Sequence, residues 1–168
     1  MISDAMQSAL FKQLNDEFSS AYLYLAMSAY CNHIDFSGAA NWLKFQYEEE
    51  LMHATKIYNY LIDQGAHVEL QGIEQPPSSF GDILEVFTAS LAHEQTMTRK
   101  LNELSNLALQ DKDHATYNLL QWYVNEQVEE EATVSEIISK LKLVKDDGYG
   151  LLMIDNELGS RAAPTPIN

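Results

Sequence analysis

Residues 39–65 read AANWLKFQYEEELMHATKIYNYLIDQG. Leu43, Tyr47, Glu50, His53, Ala54, Ile57 and Leu61 recur at steps of three and four, which places them on one side of a helix. No Pro or Gly interrupts the run until Gly65, which is well placed to end it. The stripe is apolar at both ends. In the middle it carries a carboxylate and an imidazole three residues apart, Glu50-x-x-His53. A helix of this kind buries one face, and here that face brings a charge with it.

The same pattern extends in both directions. Residues 4–34 lack Gly and Pro, and Ser3 is a candidate N-cap. Asp35, Ser37 and Gly38 punctuate the chain before the helix already read, which runs from about Ala39 to Gln64. Residues 66–79 hold Gly72 and Pro76-Pro77 and read as a loop. A third helix is expected from Phe80 or Gly81, capped by Ser78 or Ser79, to Gln110. Asp111-Lys112-Asp113 makes a turn, and a fourth helix runs to Val144. Asp146-Asp147-Gly148 breaks it, and Tyr149–Leu158 forms a short fifth helix. No strand pattern appears. Short turns make helices one and two antiparallel neighbours, and likewise three and four. The 14-residue loop can stretch to roughly 45–50 Å, against about 40 Å for the second helix. The fold expected is therefore all-α: an up-down four-helix bundle with one long crossover. The domain spans residues 1–160, followed by a flexible tail at 161–168.

Every long helix has its stripe broken at mid-length. The remaining stripes are Leu10, Leu14, Glu17, Ala21, Tyr24 and Ser28; Ile83, Phe87, Leu91, Glu94, Met97, Leu101 and Leu104; and Leu120, Tyr123, Gln127, Glu130, Val134, Ile137 and Leu141. Glu17, Glu50, Glu94 and Glu130 thus point inward. An unpaired buried carboxylate costs several kcal/mol, and four together repel one another. Two divalent cations balance four carboxylates, and His53 and Gln127 add neutral donors.

The spacing points to one shared site. Glu17 precedes Glu50 by 33 positions, and Glu94 precedes Gln127 by 33. Each half supplies a lone Glu and then a pair three apart, Glu50-x-x-His53 and Gln127-x-x-Glu130. Folding each hairpin at its turn brings these to similar heights. A single Glu-x-x-His on an amphipathic helix is usually a solvated pair. Four coincident interruptions with matched intervals are not explained that way.

The net charge of −15 opposes nucleic acid, whose phosphates would be repelled, and attracts cations. No stretch approaches about 18 apolar residues, so no membrane span is expected. The first residues, MISDAMQSALFKQL, lack the pattern of a secretory signal. With a single cysteine, Cys31, they point to the cytoplasm. His33, His67 and His114 fall at helix ends or loops, and His93 faces about 100° from Glu94 on a regular helix. Tyr22, Tyr58 and Tyr60 read as core or rim packing, and Glu131 as part of a solvated face.

The constellation resembles the ferritin-like di-iron superfamily over residues 4–160, and within it the non-haem ferritins of bacteria and archaea. The resemblance implies two iron sites, built by Glu17, Glu50 and His53 and by Glu94, Gln127 and Glu130, with Glu50 bridging. It implies a third site at Glu49, Glu126 and Glu129, sharing Glu130. It places Tyr24 as a hydrogen-bonding tyrosine beside the centre and Trp122 as a nearby tryptophan. The implied activity is oxidation of Fe(II) by O₂ or peroxide, with ferric mineral stored inside a hollow homo-oligomeric shell of 24 subunits. Bacterioferritins carry a second Glu-x-x-His and a haem-ligating Met directly after the first Glu. Here those positions hold Gln127-x-x-Glu130 and Leu51, so haem is not expected. A rubrerythrin-like oxidase or peroxidase without storage remains an alternative, as does an acidic helical interaction protein.

Overall fold

The computed structural model describes residues 2–166. Met1, Ile167 and Asn168 lie outside it, so the expected tail is described as far as Pro166. The described residues form α1 (Asp4–His33), α2 (Ser37–Asp63), α3 (Ile83–Gln110), α4 (His114–Val144) and α5 (Gly148–Gly159), with no strand among them. This is the all-α bundle with a short fifth helix that the periodicity predicts. None of these helices is long and apolar enough to cross a membrane.

The caps show why each helix starts and stops where it does. Ser3 accepts from Met6 N at 3.1 Å, as expected of a cap. Three helices end in the same doubly bonded way, with the residue after the C-cap in the left-handed region. At α2, Ala66 N donates to Leu61 O (3.0 Å) and Gly65 N to Ile62 O (2.9 Å), with Gly65 at φ 77°. Asp35 (φ 63°) and Lys112 (φ 55°) take that place after α1 and α3.

Two starts differ from expectation. The third helix begins at Ile83 and is not capped by Ser78 or Ser79. Gly81 turns the chain at φ 80°. Asp82 and Glu85 then form a reciprocal capping box, each side chain accepting the other's backbone N–H at 2.8 Å. The second helix begins at Ser37, two residues before Ala39. Its N-cap, Phe36, makes no side-chain bond. Asp155 of α5 serves instead, accepting from Gly38 N (3.0 Å) and Ala39 N (2.8 Å). An anion at a helix N-terminus is favoured by the dipole and by the unpaired N–H groups.

Two apolar cores set the topology. One holds Met27, Cys31, Ala39, Leu43, Ile83, Phe87, Ile137, Leu141, Ile154 and Leu158. The other holds Met6, Leu10, Leu14, Ile57, Leu61, Leu101, Leu104 and Leu120. The C-terminal half of α1 therefore lies beside the N-terminal halves of α2 and α3 and the C-terminal half of α4. So α1 and α2 are antiparallel, α3 and α4 are antiparallel, and the segment between α2 and α3 must run the length of the bundle. It is pinned on the way: Asn15 Nδ2 donates to Gly72 O (3.4 Å) and Tyr30 Oη to Gly81 O (2.6 Å).

At the α5 end the packing leaves no room for a methyl group. A Cβ on Gly38 would lie 1.7 Å from the Asp155 carbonyl oxygen, and a Cβ on Gly159 would lie 3.2 Å from Gly38 Cα. Gly38→Ala is expected to push α5 off α2 and cost about 1–3 kcal/mol. Thermal unfolding, with amide exchange in residues 148–159, checks this. An unchanged midpoint and unchanged exchange would contradict it.

Candidate metal centre

Between the two apolar cores lies a polar layer drawn from all four long helices. Glu17, Glu50, His53 and Glu94 are each no more than 3% exposed. Gln13, Ser20, Gln46, Ser90 and Gln127 are buried with them. Glu17, Glu50 and His53 each offer a ligand atom, and these atoms lie within 4.8 Å of one another. His53 Nδ1 stands 3.5 Å from Glu50 Oε2. Burial, then the Glu50 charge, holds the Glu17 carboxyl well above the usual carboxylate range. Burial, then Glu94 and Glu130, does the same to Glu50. Such groups favour the neutral form in the absence of a counter-cation. Carboxylate oxygens with one imidazole suit a hard or borderline divalent ion in an open geometry.

The second half of the predicted set sits beside this trio but is engaged with protein donors. Tyr24 Oη donates to Glu94 Oε1 and lies 3.0 Å from Ser90 Oγ. Burial, then Glu94, raises the Tyr24 pKa well above its ordinary value, so the phenol keeps its proton. Gln127 Nε2 donates to Glu94 Oε2 (3.0 Å) and to Glu94 O (3.1 Å), leaving Gln127 Oε1 as the atom able to face a cation. Glu130 Oε2 accepts from Gln46 Nε2 at 2.7 Å. Burial, then Glu94 and Glu49, pushes the Glu130 carboxyl up to about 7. Glu49, Glu126 and Glu129 form a looser acidic neighbourhood. Burial raises Glu126, with Glu129 and Glu49 adding to it, while Glu129 itself is exposed. Glu49 is bound by Arg161 Nη2 at 2.5 Å.

Several supporting residues escaped the sequence reading. Gln13 Nε2 donates to Glu17 Oε1 (2.7 Å). Gln13 and Gln46 each lie four residues before an inward Glu, a signal that helical spacing could have supplied. His93 does not face solvent: its Nε2 lies 2.7 Å from Ser20 Oγ, and its ring stands edge-on to Tyr24 at 6.0 Å. Burial lowers its pKa, which favours the neutral ring. Glu131 departs from the solvated reading, because Thr98 Oγ1 donates to it at 2.6 Å. Tyr123 Oη donates to His53 O (2.7 Å), and Trp122 stands edge-on to the imidazole at 5.3 Å. Tyr22 and Tyr58 lie at the rim, 47% and 41% exposed, while His33, His67 and His114 are exposed as expected.

Tyr24→Phe leaves buried Glu94 one donor short. The expected cost is about 1–3 kcal/mol in metal-free protein, measured by denaturant unfolding. A cost below roughly 0.5 kcal/mol would mean that the bond contributes little net stability.

Residues 7–144 match the ferritin family, described as a ferritin-like domain. A bacterial non-heme ferritin of Staphylococcus aureus strain MRSA252 is 44% identical over 161 residues, covering 96% of this chain and 97% of the relative. Another, of Staphylococcus haemolyticus strain JCSC1435, is 41% identical over 162 residues, covering 96% and 98%. Among solved structures, the open pore ferritin of Archaeoglobus fulgidus superposes with a TM-score of 0.95 at 45% identity, covering 96% of this chain and 100% of that one. An engineered closed form of the Archaeoglobus fulgidus ferritin gives 0.96 at 44%, covering 98% and 100%. A family match across most of the chain, relatives matched over nearly their whole length and a common fold agree with the residues of the buried layer: this chain belongs to the ferritin family.

Proposed function

We propose that this protein oxidises Fe(II) at the buried polar layer and stores the ferric product. The observation that carries the reading is the convergence of Glu17, Glu50 and His53, with ligand atoms within 4.8 Å, in a buried layer between two apolar cores. Iron is the substrate. Glu17, Glu50 and His53 bind one Fe(II), and Glu94, Gln127 and Glu130 bind the other, with Glu50 shared between them. Glu49, Glu126 and Glu129, with Glu130, form a third and looser site. Each Fe(II) loses one electron. O₂ accepts the pair with two protons and becomes peroxide, or peroxide accepts them with two protons and becomes water. Tyr24 holds Glu94 in place through its phenolic proton. The net charge of −15 draws cations toward the protein.

Storage requires many copies around a cavity. We take the working domain as residues 1–160, the location as cytoplasmic, and the assembly as a 24-subunit shell like those of the family. Exposed apolar residues on α5, Tyr149 (72%), Leu152 (56%) and Met153 (52%), favour contacts between copies. Mixing the metal-free protein with Fe(II) under air tests the reading. Fe(II)-dependent O₂ uptake, with ferric iron retained on a particle of several hundred kilodaltons, is expected. No uptake overturns the ferroxidase assignment. Uptake by a dimer that retains no mineral overturns storage and favours a di-iron oxidase or peroxidase.

A further inference from the structure

Arg161 follows α5 in the chain, yet its side chain lies across the outer edge of the polar layer. Nη2 donates to Glu49 Oε2 at 2.5 Å, and Nη1 donates to Gln46 Oε1 at 2.5 Å and to Trp42 O at 3.2 Å. Its guanidinium carbon stands 4.6 Å over the Trp42 ring. These partners are 112 to 119 residues distant in sequence. The planar fork is thus used on three acceptors and on a ring face, a combination a lysine does not reproduce.

The contact with Gln46 has a chemical consequence. Gln46 is 1% exposed, and its amide has one oxygen and one NH₂ group. Because Arg161 takes the oxygen, the NH₂ is directed at Glu130, to whose Oε2 it donates at 2.7 Å. One guanidinium therefore engages Glu49 directly and Glu130 through Gln46. Both carboxylates belong to the third, looser iron site of the proposed function, on which this inference rests. A cation at that site needs the oxygens that Arg161 and Gln46 now occupy.

We propose that Arg161 is a latch on the third site. With the latch closed, the guanidinium stands in for a cation at Glu49 and keeps an N–H donor against Glu130. When Arg161 withdraws, Glu49 is freed. The Gln46 amide can then turn its oxygen toward the space between Glu49 and Glu130, so that a donor becomes a ligand. Arg161 is a positioning residue in this scheme. It sets how readily the third Fe(II) binds, and it reaches the second iron's ligands only at Glu130, through Gln46.

Anaerobic calorimetric titration of the assembled, metal-free protein with Fe(II) tests this. Wild type is expected to bind two tight equivalents per chain and a weaker third. In Arg161→Ala the third equivalent should tighten about tenfold, because a partly exposed charged hydrogen bond no longer has to be broken. The first, at Glu17, Glu50 and His53, should be unchanged. Arg161→Lys keeps the charge without the fork or the stacking, and should fall between. It also carries the test should the alanine variant fail to fold. A third equivalent that is unchanged or weaker in both variants overturns the latch while the two tight sites stand. Loss of the two tight equivalents from wild type overturns the ligand assignment, and the latch with it. A purely structural role would lower the unfolding midpoint and leave the third affinity where it was.

Discussion

Glu94→Ala is expected to slow the initial oxidation of Fe(II) under air by at least about 100-fold, beyond the roughly 10–100-fold that loss of an outer-shell partner costs. Glu94 is 1% exposed and is reached by donors from two other helices, Tyr24 on α1 and Gln127 on α4. Truncation removes one of the three carboxylates proposed for the second iron, Glu94, Glu130 and the shared Glu50. It also takes the carboxylate acceptor from the Tyr24 hydroxyl and the Gln127 amide, which keep only Ser90 Oγ and the residue-94 carbonyl with Thr98 Oγ1, respectively. Glu17, Glu50 and His53 remain, so one Fe(II) should still bind, but one iron supplies one electron where the proposed step needs two. Stopped-flow absorbance in the first second separates these events, with circular dichroism to verify the helices. Equal initial rates for variant and wild type would remove Glu94 from the site while leaving the fold intact.

The metal-free protein should lose stability as pH rises, the reverse of the usual carboxylate behaviour. Burial holds Glu17 and Glu50 well above the ordinary range, and it pushes Glu130 up from its ordinary 4.5 to about 7. With folded-state values raised, the folded protein binds more protons than the unfolded chain between the two pKa values. The slope of unfolding free energy with pH is then negative. The stabilisation is fully present below about pH 4.5 and is lost as pH climbs through the folded values. For Glu130 alone the shift corresponds to about 3 kcal/mol, or several degrees in midpoint for a chain of this size. Glu130→Gln keeps an acceptor for Gln46 without the charge, so its midpoint should fall less between pH 5 and pH 8. The pH dependence common to all surface charge cancels in this comparison. A divalent cation should reverse the trend in wild type, since it competes with protons for the same oxygens. Parallel curves for the two proteins would show that Glu130 ionises freely in the folded state.

The two pH-linked acids at the trio and the carboxylate on α3 share an origin in local pattern. Glu17, Glu50 and Glu94 interrupt runs of apolar residues at helical spacing, and a helix face that must be buried takes its carboxylates inside. That is why they were legible without coordinates. Helix ends were less legible. Gly65 was readable because a left-handed cap favours glycine, whereas Ser78 and Ser79 offered a plausible but unused cap. The capping box of Asp82 and Glu85 competes for the same turn and satisfies two N–H groups at once. Glu131 was misread because its partner, Thr98, comes from a different helix.

Periodicity and helix-end chemistry, which act within a few residues of each other, were enough to establish the all-α bundle, its crossover and the inward carboxylates. Contacts between segments far apart in the chain were decided only by packing. Asp155 caps α2 across 116 residues, His93 turns to Ser20 across 73, and Arg161 reaches Glu49 across 112. A helix repeats its own geometry every few residues, so its faces can be read along the chain. Which residue of one helix meets which residue of another depends on the rotation and height at which the helices interlock, and that is settled by the shapes of all the buried side chains together.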